Sequence, residues 1–177
     1  MMISLDGFFE GPNHELDWHN VDAEFDEFAT AQLRETGEIL FGRVTYEMMS
    51  KFWPSGQAKE EDPVVAELMN TLPKTVFSKT LKQAGWENTK LVSGDMAGEV
   101  RRLKKESGKE IAVFGSSDLA VGLLRQGLLD ELRIMINPVV LGQGKRLFQG
   151  WDGQLKLELR SDRRFESGNV LVVYMVK

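Results

Sequence analysis

Two strand-like runs in this chain end in a glycine that is followed at once by groups able to hold an anion. The first lies in "LFGRVTYEMM", residues 40–49, where the apolar run 38–41 gives way to Tyr46, Met49 and Phe52 at helical spacing. Gly42 and Arg43 therefore sit at a strand-to-helix turn. Open backbone N–H groups and the helix dipole favour an anion there, and the Arg43 cation and Thr45 hydroxyl add to that preference. The second run is "VFGSSDLAVGLL", in which Gly115 closes a strand and Ser116 and Ser117 bring hydroxyls and N–H groups to a helix start. Ligands of open α/β sheets bind beyond the carboxyl ends of strands, so two such turns on neighbouring strands can grip one diphosphate. A third strand end, "VFSKT", contributes Ser78 and Lys79, a pair suited to an extra phosphate such as that on the adenosine ribose of NADPH. Each turn also has a plainer account as a tight glycine turn followed by solvated polar residues. The Gly-x-Gly-x-x-Gly spacing of the common dinucleotide fold is absent.

Asp22, Glu24, Asp26 and Glu27 crowd the start of a helix expected over 22–36. Acids belong at that end of the dipole, and one of them could instead supply or relay a proton. His14 and His19 lie in a loop without a partner motif for metal binding, so they read as surface or lid residues and no metal is expected. Trp18, beside His19, could close over a ligand, although loop tryptophans more often just pack.

Composition limits what these groups can serve. The 177 residues are 42% hydrophobic, enough for a substantial core, and the length suits a single domain spanning 1–177 or at most two small ones. The net charge of −5 argues against a nucleic-acid binder. With no cysteine, disulfides, thiol nucleophiles and thiolate-held zinc are excluded. No apolar stretch is long enough to span a membrane, and "MMISLDGFF" is not a signal peptide, so a soluble cytoplasmic protein is expected. A hydrolase is disfavoured, since no Gly-x-Ser-x-Gly elbow occurs.

The elements that must position these groups follow from periodicity. Strands are expected at 2–5, 38–41, 74–78, 90–92, 110–114 (buried on both faces) and 132–140 (broken at Pro138). Helices are expected at 22–36, 44–52 and 64–72, after Gly94 and after Gly115. Residues 6–20 and "WPSGQAKEEDP" read as loops, and "LKLELRSDRRFESGNVLVVYMVK" as an antiparallel hairpin. This order predicts a three-layer α/β/α fold with a mostly parallel sheet and an antiparallel C-terminal hairpin.

"ISLDGFFEG", "LFGRVTYE", "VFSKT", "VFGSSDLAVGLL" and "GLLDELRIMINPVVLGQGKRLF", in this order, resemble the dihydrofolate-reductase-like superfamily. The nearest branch holds the reductase domain of the bifunctional riboflavin-biosynthesis deaminase–reductase. The resemblance implies an NADPH-dependent reductase of a pyrimidine- or pteridine-like ring. By it, Gly42, Arg43 and Thr45 meet the cofactor's phosphates and adenosine end, Ser78 and Lys79 approach the 2′-phosphate, and Gly115, Ser116, Ser117, Asp118 and Leu119 wrap the diphosphate. Leu5 and Asp6 line the floor where nicotinamide and substrate meet, with Trp18 and Tyr46 as further substrate contacts. Asp26 stands where the catalytic acid of dihydrofolate reductase would, and a homodimer is implied. The riboflavin reductases carry Asp-x-Pro after their Gly-Arg-x-Thr, whereas "YEMMSKFWP" stands here. The rival reading is a non-catalytic NADP- or flavin-binding module on the same fold.

Overall fold

The computed structural model describes residues 1–177. In chain order it contains β1 (Met2–Ser4), β2 (Phe8–Glu10), α1 (Ala23–Glu35), β3 (Thr36–Gly42), α2 (Arg43–Phe52), α3 (Gly56–Glu61), α4 (Pro63–Thr71), β4 (Lys74–Phe77) and β5 (Thr89–Val92). These are followed by α5 (Met96–Glu106), β6 (Glu110–Val113), α6 (Ser117–Arg125), β7 (Glu131–Asn137), β8 (Lys145–Arg146), β9 (Leu157–Arg164) and β10 (Val170–Val176). The chain divides into two compact units, residues 27–128 and residues 1–26 with 129–177.

The unit 27–128 is built on a four-stranded parallel sheet in the order β5-β4-β3-β6. The run Ile39-Leu40-Phe41 lies at its centre and is at most 1% exposed, as expected of a parallel strand covered on both faces. Around it pack Leu33, Val65, Met69, Val76 and Trp86. Strand β6 is an end strand of this sheet, and Ile111, Ala112 and Val113 are only half-buried, against the expectation of burial on both faces. Lys74 is 1% exposed, and its ammonium donates to the Met69, Asn70 and Leu72 carbonyls at the end of α4 while lying 4.6 Å over the Trp86 ring. The "WPSGQAKEEDP" loop holds α3, whose six residues lack apolar periodicity and are started by the Ser55 hydroxyl accepting from the Ala58 N–H.

The other unit carries a mixed sheet in the order β1-β7-β10-β9. β1 runs parallel to β7, and β7, β10 and β9 alternate antiparallel, closing with the expected C-terminal hairpin. β7 stops at Asn137, because Pro138 cannot donate to the ladder. Residues 6–20, read as loop, contain β2, which pairs antiparallel with the two-residue β8. Arg146 stacks its guanidinium 4.5 Å from the Phe8 ring centre across this pairing. A parallel sheet fed by helices and a mixed sheet ending in an antiparallel hairpin give the α/β class that the sequence predicts.

Candidate functional site

The three glycine- or serine-bearing turns lie at the carboxyl ends of three adjacent parallel strands. β3 pairs on one side with β4, in the register Gly42↔Phe77, and on the other with β6, in the register Leu40↔Val113. Gly42-Arg43, Ser78-Lys79 and Gly115-Ser116 are thus brought to one end of one sheet. Two of the turns interlock. The Gly42 N–H donates to the Ser116 hydroxyl at 2.8 Å, and the Ser116 N–H donates to the Thr45 hydroxyl at 3.1 Å.

The two glycines are needed for different reasons. Gly115 has φ +59°, where a side chain is strained, and a Cβ there would also meet Thr45 at 3.0 Å. Gly42 has an ordinary φ of −79°, and its reason is proximity: a Cβ would stand 3.2 Å from the Ser116 hydroxyl. Ser116 is itself left-handed at φ 55°, a conformation that serine adopts at a cost, and its two hydrogen bonds hold it there.

The helices that start at these turns differ from their neighbours. α3, α4 and α5 each begin with a side-chain cap, from Ser55, Asp62 and Asp95. α2 begins at Gly42 and α6 at Ser116, and neither has a side-chain cap. These uncapped starts are the positive ends of two helices, a position at which backbone N–H groups can hold a diphosphate. Two uncapped helix starts tied together by Ser116, with the Arg43 cation at one of them, fit a dinucleotide's diphosphate. Arg43 opens α2 and is exposed, its guanidinium 2.7 Å from Glu47. Ser117 and Leu119 are buried and Asp118 is exposed. Ser78 accepts from the Thr80 and Leu81 N–H groups, which fixes the turn that presents the exposed Lys79.

Among the expected substrate contacts, Tyr46 requires correction. It is 3% exposed in the core of its unit, with its hydroxyl accepting from the Trp86 N–H and its ring beside Phe41, so it is a packing residue. Leu5 is 68% exposed at the end of β1. Asp6 is committed internally. It accepts from the Ser4 hydroxyl at 2.7 Å and from the Leu141 and Gly142 N–H groups at 3.1 and 2.8 Å. The Ser4 hydroxyl and those amides hold its carboxyl down at about 2. Trp18 is half-buried, donates to the Glu15 carbonyl and meets the His19 ring edge-on at 4.4 Å. His19 is half-buried, and that burial pushes its imidazole down to about 4. His14 faces Glu10 at 3.1 Å.

The acids at the start of α1 also sort themselves. Asp22 caps the helix by accepting from the Phe25 N–H. Glu24 accepts from Arg163 and the Glu166 N–H, and these contacts hold its carboxyl below the ordinary range. Asp26 is exposed in the first turn. What sequence reasoning missed is the Ser116 bridge. Its hydroxyl was visible, but its partner Gly42 is 74 residues away.

The RibD C-terminal domain family matches residues 1–171. The uncharacterized protein YyaP of Bacillus subtilis is 33% identical over 176 residues, covering 98% of this chain and 91% of YyaP. YwjB of the same organism is 24% identical over 164 residues, covering 92% of this chain and 88% of YwjB. A Shewanella protein named for riboflavin biosynthesis shares the fold with a TM-score of 0.77 at 24% identity, covering all of this chain and 96% of its own. The Thermotoga maritima diaminohydroxyphosphoribosylaminopyrimidine deaminase/5-amino-6-(5-phosphoribosylamino)uracil reductase superposes with a TM-score of 0.67 at 16% identity, covering 99% of this chain but 55% of that one. The fold is therefore the dihydrofolate-reductase-like one. No helix is long and apolar enough to cross a membrane.

Proposed function

The chain belongs to the RibD C-terminal domain family, and from that premise we propose that it is an NADPH-dependent reductase of a small planar heterocycle, of the riboflavin-pathway pyrimidine or the pterin kind. The observation that carries this reading is the pair of uncapped helix starts, α2 and α6, side by side beyond β3 and β6. Bound NADPH would supply a hydride for an imine or carbonyl-type carbon of the ring. The N–H groups following Gly42 and Ser116 would hold its diphosphate, with Arg43, Ser78 and Lys79 taking the 2′-phosphate. Ser116 would keep the two helix starts aligned on one ligand. Leu5, Asp6 and Trp18 are the proposed substrate contacts. Asp26 is the proposed proton donor, its carboxyl or a water ordered by it protonating the ring nitrogen or oxygen. We read residues 1–177 as one functional domain, acting in the cytoplasm as a homodimer. The pairing is supported by β9, an eight-residue end strand that is exposed along almost its whole length. Light scattering at micromolar concentration showing only a 20 kDa species would contradict the dimer.

A second reading is favoured by a specific observation. The Asp6 carboxylate and the Tyr46 hydroxyl, both expected to face substrate, are spent on internal hydrogen bonds. On that reading the chain is a module that binds NADP or flavin without turnover. NADPH fluorescence quenching followed by an oxidation assay over pterins and pyrimidines separates the two. Turnover of any ring establishes the reductase, and binding without turnover on every compound favours the module.

A further inference from the structure

We infer that Glu47 is a built-in placeholder anion, which occupies Arg43 in the empty protein and yields it to an incoming phosphate. This deepens the cofactor reading above and rests on it. Arg43 is the first residue of α2, where the helix dipole and the uncapped N–H groups are already positive. A cation is poorly placed there without an anion. No acid stands in the first turn of α2, and the anion that Arg43 finds is Glu47, one turn along at 2.7 Å.

The pair is built to be broken. Both side chains are more than two-fifths exposed, at 44% and 41%, so the contact is solvent-screened and weak. Its order, with the cation N-terminal to the acid, is the less favourable one for an i,i+4 pair. Lys51 lies four residues beyond Glu47 in the last turn of the same helix. With Glu47 N-terminal to Lys51, that alternative pairing has the favourable order. When a phosphate takes Arg43, Glu47 has a second cation within one turn, and α2 trades one ion pair for another. A guanidinium–phosphate contact, charge-assisted and bidentate, outcompetes the exposed pair it replaces. Glu47 thereby sets how strongly the protein prefers a nucleotide with a 2′-phosphate over one without.

The test is calorimetric titration of the intact chain with adenosine 2′,5′-diphosphate and with ADP. The proteins compared are the parent, Glu47→Gln and Arg43→Ala, each first shown to melt like the parent. Glu47→Gln should tighten the 2′-phosphorylated nucleotide roughly threefold and leave ADP unchanged. Arg43→Ala should weaken the former and flatten the preference. Glu47→Gln that leaves both affinities unchanged, or tightens both equally, overturns the placeholder role while Arg43→Ala still supports the cofactor reading. If Arg43→Ala leaves the 2′-phosphorylated nucleotide unaffected, or the parent binds neither nucleotide, the assignment of Arg43 to a phosphate falls and the placeholder falls with it.

Discussion

The end of β1 and the ends of β3 and β6 meet the same physical problem with opposite answers. Beyond β1, the Leu141 and Gly142 N–H groups would be unpaired, and the chain supplies its own anion in Asp6, steadied by the buried Ser4 hydroxyl. Beyond β3 and β6, neither Gly42 nor Ser116 gives its helix a side-chain cap. The same contrast runs through the helices of the unit 27–128. α3, α4 and α5 are capped by Ser55, Asp62 and Asp95, so the sequence caps helices readily where only stability is at stake. Leaving two adjacent starts open, and holding Ser116 in a left-handed conformation between them, forgoes stability at one place. Two adjacent helix starts without a side-chain cap suit an external anion.

The largest expected effect comes from adding an anion at the turn that joins the two uncapped starts. Gly115→Asp puts a carboxylate beside the open helix starts, and NADPH binding should disappear in calorimetric titration. The substitution also carries about 1–2 kcal/mol of backbone strain at φ +59° and crowds Thr45. Gly115→Ala shares the strain without the charge, and it should melt lower than the parent yet still bind. Equal binding by Gly115→Asp and the parent would mean that the turn holds no phosphate.

Next in size is the bridge. Ser116→Ala leaves the Gly42 N–H without its acceptor, at a cost of about 1–3 kcal/mol in stability, and NADPH should bind roughly tenfold more weakly. Ser116→Gly loses the same acceptor but relieves the left-handed strain, so it should melt above the alanine variant while binding equally weakly. If the two variants melt alike, the strain assigned to Ser116 is wrong.

A capped helix start should behave in the opposite way. Asp62→Ala removes the acceptor of the Val65 N–H and should cost about 1 kcal/mol of stability. NADPH affinity should stay within about twofold of the parent. A large loss of binding would erase the distinction between capped and open ends.

How far the sequence alone could draw this contrast depends on the range of the signal. Gly42 and Gly115 were legible because a strand, a glycine and a helical period follow one another within a dozen residues. The neighbour relation of β3 and β6 was a condition that only the fold could meet. β2 and β8 leave no signal, since both are short runs beside glycines that read as turns, and they exist through the pairing Phe8↔Arg146. α3 was hidden because "GQAKEE" has no apolar face and only Ser55 announces it. Tyr46 was misassigned although it shares a helical spacing with Met49 and Phe52. That spacing marks a packed face, and the turn nearby drew it into the site. Asp6 stands out in the sequence, but its partners at 141 and 142 are distant along the chain.

The smallest effect concerns the self-supplied anion beyond β1. The Asp6 carboxyl is held at about 2, below its ordinary 3.8. A depressed folded-state value stabilises the protein above the unfolded value and is lost as pH falls through the folded one. The melting temperature should therefore decline between about pH 4 and pH 2, and Asp6→Asn should flatten that part of the curve. An unchanged acid limb in the variant would show that the Asp6 contacts do not contribute in solution.

The central claim is that the open starts of α2 and α6 together hold a dinucleotide's diphosphate, and titration of nitrogen-15-labelled protein with NADPH tests it most directly. The amides of Gly42 to Thr45 and of Gly115 to Leu119 should shift together, saturating at one concentration, while the capped starts at Ala58, Val65 and Gly98 stay in place. Shifts confined to other parts of the chain, or different saturation at the two turns, would contradict it.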